Sequence, residues 1–147
     1  MTITEPYRRT AATPGATVPF QSHTFTFLAD AADTGGQVAL LDITAVRGDE
    51  PPPHTHTRED EGFLVLEGDA TFWCDGDELA APAGTFVWLP RCREHGFRIE
   101  TPTARFLVVI TPAGNEVAFR EFAGVEEPDI EAMIAFDASL GVSYREP

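Results

Sequence analysis

Cysteine, serine and positive charge are all scarce in this chain, and each shortage closes off a class of chemistry. Only Cys74 and Cys92 occur, too few for a disulfide framework and without the paired spacing of a zinc knuckle, so both are expected as free thiols. The three serines, Ser22, Ser139 and Ser143, lie outside any GxSxG elbow, and no glycine-rich phosphate loop is present. No apolar run reaches the roughly 18 residues of a membrane span. The stretch with Thr2, Glu5, Arg8, Arg9 and Thr10 also lacks the apolar segment of a secretory signal, so a cytoplasmic protein is expected. Ten basic residues stand against 24 acidic ones, a formal charge of −14. Repulsion over the whole surface excludes nucleic acid and anionic membrane as partners.

What remains is a domain-sized chain of 147 residues, 43% hydrophobic, able to bury a core of ordinary depth. Eleven Phe against two Trp and two Tyr imply an interior walled by apolar rings. Trp88, Phe63, Phe72, Phe86 and Phe97 are expected chiefly as core, with strand alternation letting some line a cavity. Short β-type segments recur from Ser22 onward: Thr24–Leu28, Gln37–Val46, Gly62–Glu67, Ala70–Cys74, Thr85–Leu89, Gly96–Ile99, Arg105–Thr111 and Val117–Phe122. Between them, Asp33-Thr34-Gly35-Gly36, Glu67-Gly68-Asp69, Asp75-Gly76-Asp77 and Ala113-Gly114-Asn115 favour tight reversals, Asp75-Gly76 being the clearest hairpin. Regular short strands with explicit turns mean an all-β sandwich or barrel.

Residues 1–20, with Pro6, Pro14, Gly15 and Pro19, read as an extended arm that could cross onto a partner subunit. Residues 21–125 form the barrel, and residues 126–147 a helix and tail. Pro128 stands near the helix start, Asp129 and Glu131 fall in its first turn, and Gly141 follows its end. Ile130, Met133, Ile134 and Leu140 are the expected buried stripe, packing on the chain's own barrel.

Three of the four histidines and one glutamate fall in a single pattern, Gly48-x5-His54-x-His56-x4-Glu61-x6-Gly68 followed by Gly84-x5-Pro90-x4-His95. Pro51-Pro52-Pro53 stiffens the approach to His54, and in an extended strand His54 and His56 project to the same face. Thr57-Arg58-Glu59-Asp60 then turns the chain, and three consecutive acids compete to return a carboxylate. Glu61 is chosen because Gly68, where the next hairpin reverses, lies seven positions on. Glu59 and Asp60 read as solvated charges, one of them able to pair with Arg58. His95 begins a strand after a proline-closed one and can meet the first hairpin across a barrel. His54, His56, Glu61 and His95 together have the donor chemistry of a divalent transition-metal site, in which imidazole and carboxylate accept Fe, Mn, Ni, Co, Cu or Zn. His23, in Ser22-His23-Thr24, lies outside this spacing and reads as a surface or strand-edge residue.

These residues resemble the two conserved motifs of the cupin superfamily, over about residues 36–112. The first motif is complete from Gly48 to Gly68. In the second, Gly84, Pro90 and His95 match, but Cys92 stands where the family usually has glycine and Ile99 where it often has asparagine. The resemblance implies a six- to eight-stranded jelly-roll (double-stranded β-helix) barrel, with His54, His56, Glu61 and His95 as a three-histidine, one-glutamate ligand set. The stretches PPPHTHTREDEGFLVLEG and FVWLPRCREHGF are most similar to small bacterial monocupins called quercetin 2,3-dioxygenase-like.

That resemblance implies an oxygen-dependent metalloenzyme acting on a small aromatic or enolisable, flavonol-like substrate, with dioxygen as a further partner and Glu61 as ligand or as the catalytic base. A metal-dependent isomerase, lyase or cyclase, and a non-catalytic small-ligand-binding cupin, are the alternatives. Cupins commonly pair, so a homodimer is expected. The Cys92 thiol is expected to point away from the metal pocket.

Overall fold

Runs rich in β-branched and aromatic residues form the strands, and the pleat decides which side chains they bury. In Thr103–Thr111, for example, Ala104, Phe106, Val108 and Ile110 are buried while the residues between them are not. The computed structural model describes residues 4–146. Residues 1–3 of the expected arm and residue 147 of the expected tail lie outside the described residues.

Among the described residues eleven strands form: β1 Thr17–Phe20, β2 His23–Ala29, β3 Ala39–Val46, β4 His54–His56, β5 Asp60–Glu67, β6 Asp69–Cys74, β7 Asp77–Pro82, β8 Phe86–Leu89, β9 His95–Ile99, β10 Thr103–Thr111 and β11 Val142–Tyr144. Three helices join them: α1 Ala31–Thr34, α2 Val117–Glu121 and α3 Ile130–Ser139. One sheet has the order β1-β2-β3-β10-β5-β8 and the other β11-β4-β9-β6-β7, with every pairing antiparallel. This is the all-β jelly roll expected, with more strands than six to eight because short ones are added at the sheet edges. Between the sheets lie Phe27, Phe72, Phe106, Leu41, Leu89 and Ile99, all at most 1% exposed. Phe63, Phe72, Phe97 and Phe106 pack ring on ring with centroids 5.1–6.0 Å apart, the range of favourable aromatic pairs.

Two turns behave as their residues require. Asp75 and Gly76 take φ of 48° and 91°, closing the β6–β7 hairpin. Gly68 takes φ of 79° between β5 and β6, and a Cβ there would meet the Thr103 carbonyl oxygen at 2.6 Å.

Several expectations are corrected. Val117–Phe122, expected as a strand, holds helix α2 at Val117–Glu121, because a segment this short carries too little period to separate the two. Its Phe119 stacks on Phe25 at 4.3 Å. Residues 17–20 of the expected arm are strand β1, paired with β2 of the same chain, and the arm before it is tied to its own barrel by the Arg9–Asp33 ion pair and by the Tyr7 hydroxyl donating to the Leu28 carbonyl. Helix α3 forms where expected, with the Asp129 side chain capping its N-terminus, but no residue in it is fully buried. Ile130 and Ile134 face solvent, and the half-buried side is Met133, Phe136, Asp137 and Leu140. Phe86 and Trp88, expected as core, point outward at 57% and 46% exposure, since the parity of β8 puts Val87 and Leu89 inside.

Candidate metal centre

Strand β4 is only three residues long, yet its pleat puts His54 and His56 on the inner face with Thr55 between them on the other. It lies between β9, where His54 registers with His95, and β11, where Tyr144 registers with His54. Glu61 comes from β5 of the opposite sheet, where its alternation with Gly62 points the carboxylate inward. Three imidazoles of one sheet thus meet one carboxylate of the other. One potential donor atom from each of His54, His56, Glu61 and His95 falls within 4.8 Å of the other three. All four residues are at most 9% exposed.

The rings are held so that their inner nitrogens converge. His54 Nδ1 lies 2.9 Å from the Pro52 carbonyl oxygen, His95 Nδ1 3.3 Å from that of Arg93, and His56 Nδ1 2.6 Å from Oε1 of Glu59. On the inner side, Glu61 Oε2 is 3.2 Å from His95 Nε2 and 3.4 Å from His56 Nε2. His56 Nε2 is buried with no hydrogen-bond partner, a polar atom that a cation would satisfy. The donor set and this orphaned nitrogen fit a divalent ion.

Electrostatics agree with the geometry. Burial pushes the His54 imidazole down to about 4, so it is neutral at physiological pH and free to ligate. Burial would raise the Glu61 carboxyl, but the charges of His56, His54 and His95 and the hydrogen bond from His95 outweigh it and hold it at about 2. For His56, burial acts downward, and the neighbouring Glu61 and Glu59 overcome it and raise its affinity for a proton.

All four residues proposed from the sequence meet in one place. The surroundings differ from expectation. Glu59 is not a solvated charge: it is 4% exposed and bonded to His56. Asp60 pairs with Arg91 rather than Arg58, at 3.0 Å. His23 is 7% exposed and bonded at both ring nitrogens, accepting from the Val46 N–H and donating to the Asp49 carbonyl. Cys92 is exposed and unpaired, outside the cluster, with φ of 63°. It occupies a left-handed position of the kind glycine favours. Ile99 is fully buried in the core.

Three further residues escaped the sequence reading. Asn115, from the loop after β10, places its amide 3.0 Å from His56 Nδ1. Tyr144 lies with its ring centroid 5.7 Å from that of His54 and donates to Asp137 of α3 at 2.6 Å. Burial and the Asp137 charge push the Tyr144 phenol well above its ordinary range. Only Glu59 carried a signal, its i+3 spacing from His56 across a turn.

Comparison with known proteins bears on the same residues. A family model described as a cupin domain matches residues 42–110. Quercetin 2,3-dioxygenase of Bacillus subtilis is 31% identical over 88 residues, 60% of this chain but only 26% of that protein, so the chain spans about a quarter of that relative's length. Among solved structures, the Streptomyces nucleoside dehydratase Pac13 is similar at TM-score 0.61 and 15% identity, covering 77% of this chain and 88% of that one. A predicted oxalate decarboxylase of Thermotoga maritima matches at TM-score 0.62 and 16% identity, over 73% and 99%. These structural likenesses speak for the fold alone. Both motifs, the two-sheet barrel and the family match over residues 42–110 agree, and together they support a cupin-superfamily chain resembling quercetinase-like proteins.

Proposed function

We propose that this chain is a metal-dependent enzyme of the dioxygenase type, acting on a small aromatic or enolisable, flavonol-like substrate. The observation that carries the reading is the convergence of His54, His56, Glu61 and His95 on one buried point. These four would hold a divalent transition metal, which when bound supplies Lewis acidity to a substrate oxygen. Glu61 stays ionised at neutral pH, so its carboxylate is an anionic ligand for the ion, and it is the carboxylate of the site placed to take the proton of an acidic substrate hydroxyl. Phe63 and Phe97 belong to the aromatic cluster of the same barrel interior, an apolar setting suited to an aromatic ring. The relation to a quercetin dioxygenase favours oxygen chemistry over the other chemistries of this fold.

Protein purified without chelators or an affinity tag is expected to carry close to one metal per chain by elemental analysis, and His54→Ala to carry none. Loaded protein under air should consume oxygen with a member of a panel of flavonols and enediols. No uptake across the panel removes the dioxygenase reading. Turnover that persists without oxygen assigns a non-redox isomerase, lyase or cyclase instead, and tight binding with no product assigns a ligand-binding cupin.

We also propose a homodimer formed on the outer face of the six-stranded sheet. There Phe86, Trp88 and Leu66 are exposed, and Leu64, Leu107 and Val109 are half-buried beside them, on an antiparallel face that is ordinarily polar. On a chain of charge −14, the acids of this face, Asp42 and Asp60, are paired with Arg105 and Arg91, which limits the repulsion a second copy meets there. Light scattering at micromolar concentration should give twice the chain mass, and Trp88→Asp should halve it. A monomeric wild type rejects the proposal.

A further inference from the structure

We infer that Glu59 is the positioning residue of the site, fixing the ring of His56 so that Nε2 is the nitrogen offered to the metal. The inference rests on the metal reading above. The three imidazoles are not held alike. His54 and His95 are backed by main-chain carbonyl oxygens, at 2.9 and 3.3 Å, whereas His56 is backed by a carboxylate at 2.6 Å. Both partners of that contact are 4% exposed, so water does not compete for it. A carboxylate is acceptor-only, so the shared proton sits on Nδ1 and the lone pair of the neutral ring is left on Nε2. That nitrogen faces Glu61 and has no other partner.

The neighbouring amide accommodates this proton placement with its two ends exchanged. Asn115 Nδ2 lies 3.0 Å from the same Nδ1, and its Oδ1 is buried without a partner. A ring N–H cannot accept from an amide N–H, so the amide fits with its two ends exchanged and its oxygen turned to Nδ1. Among the described residues the Glu59 carboxylate has one hydrogen bond, to His56, and holds no backbone N–H. Its burial is therefore explained by the ring rather than by the turn on which it sits. A carboxylate behind the ring also makes the inner nitrogen a stronger donor, and loss of such a partner typically costs 10- to 100-fold in metal affinity.

The test compares wild type, Glu59→Gln and Glu59→Ala in two measurements. In metal-free protein at a pH above the His56 titration, two-bond proton–nitrogen NMR of the histidine rings should show His56 as the Nδ1–H tautomer in wild type and as a mixture in Glu59→Ala, with His54 unchanged. Cobalt(II) titration should show affinity about 10- to 100-fold weaker in Glu59→Ala and substantially recovered in Glu59→Gln, which keeps an acceptor oxygen for the same proton. An unchanged tautomer in Glu59→Ala overturns the inference, and so does a Glu59→Gln that loses as much affinity as Glu59→Ala. Because the ring measurement needs no metal, a wild type that binds no cobalt defeats the metal reading separately.

Discussion

Two glutamates two positions apart grip one imidazole from opposite sides: Glu59 Oε1 at Nδ1 and Glu61 Oε2 near Nε2 of His56. Their combined pull makes His56 the histidine of the cluster that the structure shows holding its proton more tightly than usual, while His54 has given its proton up above about pH 4 and Glu61 above about pH 2. An ion must displace the His56 proton to bind. Metal affinity is therefore expected to rise with pH on the acid side of the His56 titration, because binding releases that proton. Cobalt titrations between about pH 5.5 and 8 check this. A flat profile contradicts it. The four clustered residues were legible in the sequence because strand parity and turn position suffice to aim them. Glu59 was not, because an acidic residue in a turn is ordinarily solvated. Only three-dimensional closure of the turn onto His56 buries it.

At the scale of elements, the reversals show how tightly the barrel is specified. Gly68 and Gly76 both have positive φ, but a Cβ at Gly68 runs into Thr101 and the Thr103 carbonyl while one at Gly76 meets open space. Gly76→Ala is expected to cost about 1–3 kcal/mol for the left-handed backbone alone, and Gly68→Ala more than that. Urea denaturation of the two variants decides it, and equal losses would show that the contact at Gly68 relaxes. Long strands rich in β-branched and other apolar residues, such as β3, β5 and β10, were readable from their residues. The short edge strands β1 and β11 and the helix α2 were not. Three to five residues hold too little periodicity, and the partners they pack against, β2 for β1 and the distant β4 for β11, decide their form. The apolar side of α3 was misassigned for a related reason: it packs against β11 and α2, with Phe136 edge-on to Phe122, and its orientation follows those neighbours.

For the whole molecule, the candidate site joins the two sheets, taking Glu61 from one and His54, His56 and His95 from the other. An ion that binds only the folded state, present at about 100 times its Kd, adds about 2.7 kcal/mol. For a chain of this size that raises the thermal midpoint by roughly 5–10 °C. EDTA should reverse the rise, and His95→Ala should show none. A midpoint indifferent to metal in wild type would mean that the ion does not couple to folding. Joining the sheets also has a topological side. Glu61 and His95 are 34 residues apart, so an ion held by both closes a loop of that length in a chain whose two thiols stay free. By the loop-entropy relation a covalent bridge of that span limits the unfolded chain by between about 3 and 4.7 kcal/mol. A bound metal here would do the work of a disulfide cross-link, in a form that a chelator can undo and a reductant cannot.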